Sequence, residues 1–508
     1  MDNWILFPIR DISGGMNMVM SPLQNNPDEM QMLVNFAGDY IGGIRKSPGY
    51  TTRGSAVTGV TSVLALTNFY YGDNIKQVAV MQGAASADVY VYTSNTGVWT
   101  AQSMSLTSNV KPEFATFLDG LFMVDYSDAT RYYDGTTWLT TTNVTDAPKA
   151  RIVTSYGDKL YLGNTVIGST SYESRVNMSS LPDTSYNITW DTSNTGNWFD
   201  VQPKDGDKIK AFAKNSGRLL IFKENTLWRY DTNSLTQISG APGTNNCRTV
   251  KEIATFGVTV YFHKSGIYLI NGTEVTLLSR KIQPIIDGVS SINLDKLCAY
   301  TSGDYYCIYL GDISNTYENL TINNCAVIFD IARSRIVSVE SLAHNPTMYA
   351  SYRDDRSEMT YESADDYYES SEDTYNGLVT ASDSIYFGAD NGRVYQIGNT
   401  QATHSGTTIS ATFQTHNYYP AGIHARTQFK ALKFYIQQCK RIRLYYSIDD
   451  APWRPMGKVQ TNDHEIYYEF PEQVHGNRIK FKGVENSVGV YSKVLGIDIF
   501  HAPQNYLV

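Results

Sequence analysis

The sequence predicts an all-β chain: an irregular β-propeller with an N-terminal arm and a C-terminal β-sandwich-like module. Three observations predict it. Tyrosine is very abundant, 38 of 508 residues, and is matched by 38 glycines; Tyr and Thr suit half-buried strands, and Gly suits the turns between them. Short apolar strands ending in Gly, Asn or Asp turns recur through the middle of the chain, as in "SGRLLIFKENTLWRYD" (216–231) and "SDSIYFGADNGRVYQIGN" (382–399). A polar turn closed by tryptophan also recurs: "SNTGVW" at 94–99, "SNTGNW" at 193–198 and the related "DGTTW" at 134–138. In propellers such a Trp packs between neighbouring blades. At 508 residues the chain is too long for one ordinary core, so at least two domains, or one large repeat domain with additions, are expected.

The arm is assigned to residues 1–55. Within it "NPDEMQMLVNF" (26–36) reads as a short helix, with Pro27 at a first helical position and Asp28 and Glu29 in the first turn. "GGIRKSPGYTTRG" (42–54) follows. Its glycines and Lys-Ser suggest a phosphate loop, but no glycine directly precedes Lys46, and Pro48 forces Ser47 out of helical geometry. It reads instead as two turns, Gly42-Gly43 and Pro48-Gly49, the second launching the first blade strand. Arg45 and Lys46 lie between them, expected to be exposed. With Pro48 and Tyr50 they are the candidate assembly interface.

The propeller is assigned to 56–405, with insertions at about 167–207 and 340–380. Its hairpin grammar is clearest in "FGVTVYFHKSGIYLINGTEV" (256–275): Val258, Val260 and Phe262 alternate with Thr259, Tyr261 and His263, and Asn271-Gly272 marks a tight turn. His263 reads as a structural strand residue. Residues 354–373 carry nine acids (Asp354, Asp355, Glu358, Glu362, Asp365, Asp366, Glu369, Glu372 and Asp373) against one Arg356. They read as a solvated loop; a calcium loop is disfavoured because the ligand spacing and the turn glycine are missing. From 406 to 508 the strands lengthen and gain Lys and Arg, as in "KALKFYIQQCKRIRLYYSIDD" (430–450), which suggests a separate sandwich or jelly-roll-like module.

Chemistry is sparse. The formal net charge is −9, and a protein that clamps duplex DNA carries a basic excess instead. The five cysteines form no CxxC pair, so neither zinc nor a disulfide framework is indicated, and the eight histidines show no HExxH. No G-x-S-x-G elbow is present. The start "MDNWILFPIRD" lacks a basic n-region and a long apolar run, and no stretch offers the roughly 18 apolar residues of a bilayer-spanning helix. The expectation is a soluble protein made in a reducing cytosol, with no enzyme activity, no cofactor, no metal and no small-molecule substrate.

Three segments carry a resemblance: "SPLQNNPDEMQMLVNFAGDYIGGIRKSPGYTTRG" (21–54), the stretch from Ser174 to Asp231 with its Asp205-Gly206-Asp207 turn, and "RIRLYYSIDDAPWRPMGKV" (441–459). Together they resemble the β-propeller tail hub or nozzle proteins of short-tailed bacteriophages, which include the packaged-DNA stabilisation proteins. The resemblance is one of texture over most of the chain. It implies a virion tail protein made in the host bacterial cytoplasm: a homo-hexameric ring subunit below the portal and adaptor that prolongs the DNA channel and helps retain the genome. Its implied partners are the portal–adaptor complex, tail fibres or a tip plug, and genomic DNA passing through without sequence-specific binding. The 354–373 acids are the candidate channel or tip loop. The alternative is a glycan-binding or glycan-cleaving propeller of a tail fibre or a bacterium; a WD-repeat scaffold ranks last, because the GH…WD spacing is missing.

Overall fold

The computed structural model describes residues 4–19, 26–39, 42–71, 74–93, 96–232, 234–316, 320–353, 383–398, 401–437, 441–460, 465–470, 474–487 and 492–503. The chain is a β-propeller joined to a β-sandwich. Five blades are successive four-stranded antiparallel meanders, with inner strands Ser62–Tyr71, Glu113–Phe117, Lys149–Tyr156, Ile209–Asn215 and Lys251–Ile253. A sixth blade is built from Pro346–Arg353, Asp383–Ala389 and Val394–Ile397, and is completed by Tyr50–Thr52 from the N-terminal arm. Between the fifth blade and this one, the ring position is filled by Cys298–Ser302, Tyr305–Asn315, Leu320–Asp330 and Arg335–Ser341, which begin a ten-stranded sheet. Each inner strand packs on the next, and Pro346–Arg353 packs on Ser62–Tyr71 to close the circle.

Blades hold together because each buries both faces. All six residues of Val258–His263 are buried. The period-two pattern then sorts them: Val258, Val260 and Phe262 enter the core shared with the ten-stranded sheet, while Tyr261 enters the core shared with the fourth blade. Trp99 is packed between the first blade and the last, against Val63, Met81, Tyr386 and Val394, and its indole N–H donates to the Arg53 carbonyl at 3.2 Å. Trp138 packs at the contact of the first and second blades, stacked on Tyr133. Trp198 differs: it lies under the Arg175 guanidinium at 3.6 Å, within its own blade, where Arg175 also forks onto Asp200.

The sandwich has two sheets. One is the remainder of the ten-stranded sheet, in which Glu29–Val34, Ala411–Thr415, Ile479–Glu485, Arg441–Ile448 and Arg454–Gln460 follow Arg335–Ser341. The other is seven-stranded and combines Ile5–Ile9, Phe36–Gly38 and Ile44–Lys46 with C-terminal strands including Thr427–Gln437 and Lys493–Pro503. Phe36, Phe413, Phe434 and Phe481 lie in the core between them. The C-terminal strands build this sandwich together with strands of the arm, and Glu29–Val34 links it to Arg335–Ser341 through the Val34–Val339 pair.

Two expectations for the arm are corrected. Residues 26–36 are not a helix; Glu29–Val34 is a strand. Its pairing slips between Met30 and Met32, so a bulge at Gln31 turns Met30 and Leu33 to the same core. That three-residue spacing imitates a helical face. The chain then steps from one sheet to the other at Asn35, whose φ is +54°. The Asn35 side chain holds the step, donating to the Ser410 carbonyl at 2.7 Å and accepting from the Ser341 amide at 2.9 Å. Nor does Pro48-Gly49 launch the first blade: it leads into the strand that completes the last one. Gly49 is needed there, since a Cβ would lie 2.0 Å from the Thr403 carbonyl oxygen.

Candidate functional site

The segments that enter the inner strands converge on the propeller axis. A 3-10 turn at Cys247–Thr249 precedes the fifth inner strand, and Asn246 shapes it: its side-chain oxygen accepts from the Arg248 amide at 3.0 Å, and its amide donates to the Leu297 carbonyl at 2.9 Å. The turn projects Arg248 across the axis. Its Nε donates to Glu113 Oε1 at 3.0 Å, and its two terminal nitrogens donate to the Thr347 carbonyl at 3.0 Å and the Pro112 carbonyl at 3.2 Å. One guanidinium, 7% exposed, thus ties the fifth blade to the second and the last. The Cys247 thiol also donates to Glu113 Oε1, at 3.3 Å. Burial works against the Arg248 charge and Glu113 offsets it. Lys111 crosses the same mouth to Asp295 at 3.2 Å.

Arg248 lines two cavities. The larger, of about 320 Å³, is bounded by Leu64, Lys111, Tyr309, Asp312, Asn345 and Asp390. The smaller, of about 40 Å³, is bounded by Lys111, Glu113, Arg151, Lys210 and Asn246. Lys251 sits close enough to feel Glu113 and Arg248, and burial pushes it below the usual lysine range. Among the described residues no three His, Cys, Asp or Glu side chains assemble as a metal set.

The structure scatters the residues singled out from sequence. Arg45 is exposed as expected. Lys46 is not: it is 2% exposed, and its Nζ lies 2.5 Å from Glu485 Oε2 and donates to the Ser487 carbonyl at 2.9 Å. Consecutive residues of a strand face opposite sides, so Arg45 outward puts Lys46 inward. Pro48 is half-buried, and Tyr50 is 2% exposed. The Tyr50 hydroxyl accepts from the Ala343 and His344 amides, each at 3.1 Å, and lies 3.0 Å from His344 Nδ1, while the ring stacks on His404. Lys46 and Tyr50 are thus internal ties rather than surface contacts. The nine acids Asp354 to Asp373 lie outside the described residues. His263 is buried and hydrogen-bonds Ser265 through Nδ1 at 2.7 Å, a structural use. In the Asp205-Gly206-Asp207 turn, Asp205 pairs with the fully buried Lys223 at 2.5 Å, and Asp207 accepts from Asn225 and Thr226. Sequence reasoning missed Arg248, Glu113 and Lys111. Arg248 and Glu113 lie in different blades, and no local pattern marks their meeting.

The cavity at Tyr50 carries a pH signature. Glu340 and His404 both line it. Burial raises Glu340 from 4.5 to about 7, while burial, with His344 and Lys46 adding, lowers His404 from 6.5 to about 4. Where a folded carboxyl binds its proton more tightly than the unfolded one, stability falls as pH rises, here between 4.5 and 7. Where a folded histidine binds more weakly, stability rises with pH, here between 4 and 6.5. In the intact chain the two slopes oppose each other. Denaturant titrations are expected to show stability falling with pH across the Glu340 window in His404→Gln, and rising across the His404 window in Glu340→Gln. Parallel profiles for the two variants would remove this assignment.

No protein-family profile matches the chain, and a comparison with curated proteins finds no match. Among solved structures it is similar to one described as "YCF48 bound to D1 peptide", at 7% identity and a TM-score of 0.38, over 68% of this chain and 94% of that one.

Proposed function

We propose that the chain is a structural subunit of a tailed-phage virion: a tail hub or nozzle protein, without enzyme activity, that forms a hexameric ring below the portal and adaptor. The observation that carries this reading is the continuous ten-stranded sheet, which makes one propeller position and one face of the sandwich a single body. Strand-to-strand hydrogen bonding through that sheet resists hinging between the parts, a property that suits a ring subunit loaded along a channel. The resemblance of the three sequence segments supports the same reading. Since Arg248 crosses the propeller axis, the channel for DNA lies on the symmetry axis of the ring, between subunits. DNA passes there by steric confinement and without base readout, consistent with the net charge of −9.

Analytical ultracentrifugation of the purified chain, alone and with a portal–adaptor complex, tests the proposal. The expected result is a monomer or weak oligomer alone and a ring only on the template. A stable dimer that binds glycans would overturn it. One observation favours the second reading, a glycan-binding propeller: the 320 Å³ axial cavity presents Asn109, Asn293, Asn345, Asp312 and Asp390, groups that suit sugar hydroxyls. A glycan array separates the two.

A further inference from the structure

The smaller axial cavity has more positive charge than it pairs. It is lined by four cations, Lys111, Arg151, Lys210 and Arg248, against two acids, Glu113 and Asp295. The acids are committed: Glu113 is met by Arg248, and Asp295 by Lys111. Lys210 reaches only a partly exposed Glu224 at 3.6 Å, a contact that water screens. Arg151 sits over the Tyr126 ring at 4.9 Å and has no ion pair among the described residues. These two groups come from the inner strands of consecutive blades, Arg151 from the third and Lys210 from the fourth. They are held by sheet backbone, so their approach is set by the fold rather than by flexible loops. In a chain of net charge −9, this concentration of cations is local to the axis.

We propose that this cavity binds one small oxyanion of phosphate size, with Arg151 and Lys210 as its unpaired cationic lining. The volume admits a small ligand: about 40 Å³ is well above the ~10–15 Å³ that a single ordered water requires. Larger anions are excluded by the Arg248 bridge, which is already satisfied by Glu113 and two carbonyls and stays in place. The site is distinct from any DNA channel of the assembled ring, and it does not depend on the virion reading.

Calorimetric titration of the full chain with inorganic phosphate, at constant ionic strength in chloride, tests this. One saturable site per chain is expected. Arg151→Gln with Lys210→Gln is expected to weaken binding roughly a hundredfold, about tenfold per lost charge-assisted contact, with the unliganded melting temperature unchanged. Arg45→Gln, an exposed cation of the sandwich, is expected to leave affinity intact. Sulfate is expected to compete with phosphate for the same site, and acetate to bind far more weakly than either. Absence of a saturable site, equal affinity in the double variant, or an equal loss in Arg45→Gln would each overturn the proposal.

Discussion

Lys46→Met is expected to lower the unfolding free energy by about 3–5 kcal/mol, because it leaves a buried carboxylate without its counter-ion. Lys46 is 3% and Glu485 0% exposed at the side chain. Glu485 Oε1 is occupied by the Ser487 amide at 2.8 Å and by the Ser487 hydroxyl, so among the described residues Lys46 alone neutralises the charge. The pair joins the two sheets of the sandwich: Lys46 belongs to the seven-stranded sheet, and Glu485 ends a central strand of the ten-stranded one. Adding Glu485→Leu to Lys46→Met is expected to recover most of the loss, since an apolar pair removes the desolvation penalty along with the attraction. Urea titration reads both results as a shift in midpoint at constant slope. A loss below about 1 kcal/mol in Lys46→Met, the level of an exposed pair, would show that water reaches the site.

The same residue shows what the sequence makes legible. Blade strands are local, and their evidence is local: alternation in Val258–His263 and the Asn271-Gly272 turn sit within one short window, and the structure places a hairpin there. Ring closure is not local. Tyr50–Thr52 pairs with Val394–Ile397 across more than 340 residues, and nothing within either segment names the other. The Gln31 bulge shifted an alternating strand into a three-residue spacing, which periodicity alone reads as a helix. Lys46 was within reach of a sharper reading. Once Ile44–Lys46 is taken as a strand, two adjacent cations cannot both face solvent in a two-sheet sandwich, and one of them needs a buried acid. The axial cations offer no such signal, because Arg151, Lys210 and Arg248 belong to three separate blades and meet only through ring geometry.

Arg248→Met is expected to cost about 3–5 kcal/mol, comparable to the sandwich ion pair but confined to the propeller. Three contacts are lost together: the bond to Glu113 and those to the Thr347 and Pro112 carbonyls. Glu113, 18% exposed at the side chain, loses its counter-ion and, among the described residues, keeps the Cys247 thiol as its one donor. Glu113→Gln is expected to cost less, because a side-chain oxygen still accepts from Nε while the guanidinium keeps its two carbonyl partners. The double variant is expected to be less destabilised than the sum of the singles, the mark of a direct interaction. Location distinguishes this from general loosening. Hydrogen exchange in Arg248→Met is expected to accelerate in Glu113–Phe117 and Pro346–Arg353, the strands at the lost contacts, before it changes in Thr427–Gln437 of the sandwich. Equal acceleration in all three would mean that propeller and sandwich unfold as one unit. Acceleration in none would mean that the inner strands hold the ring without a cross-axis bridge, and that Arg248 serves only to shape the cavities it divides.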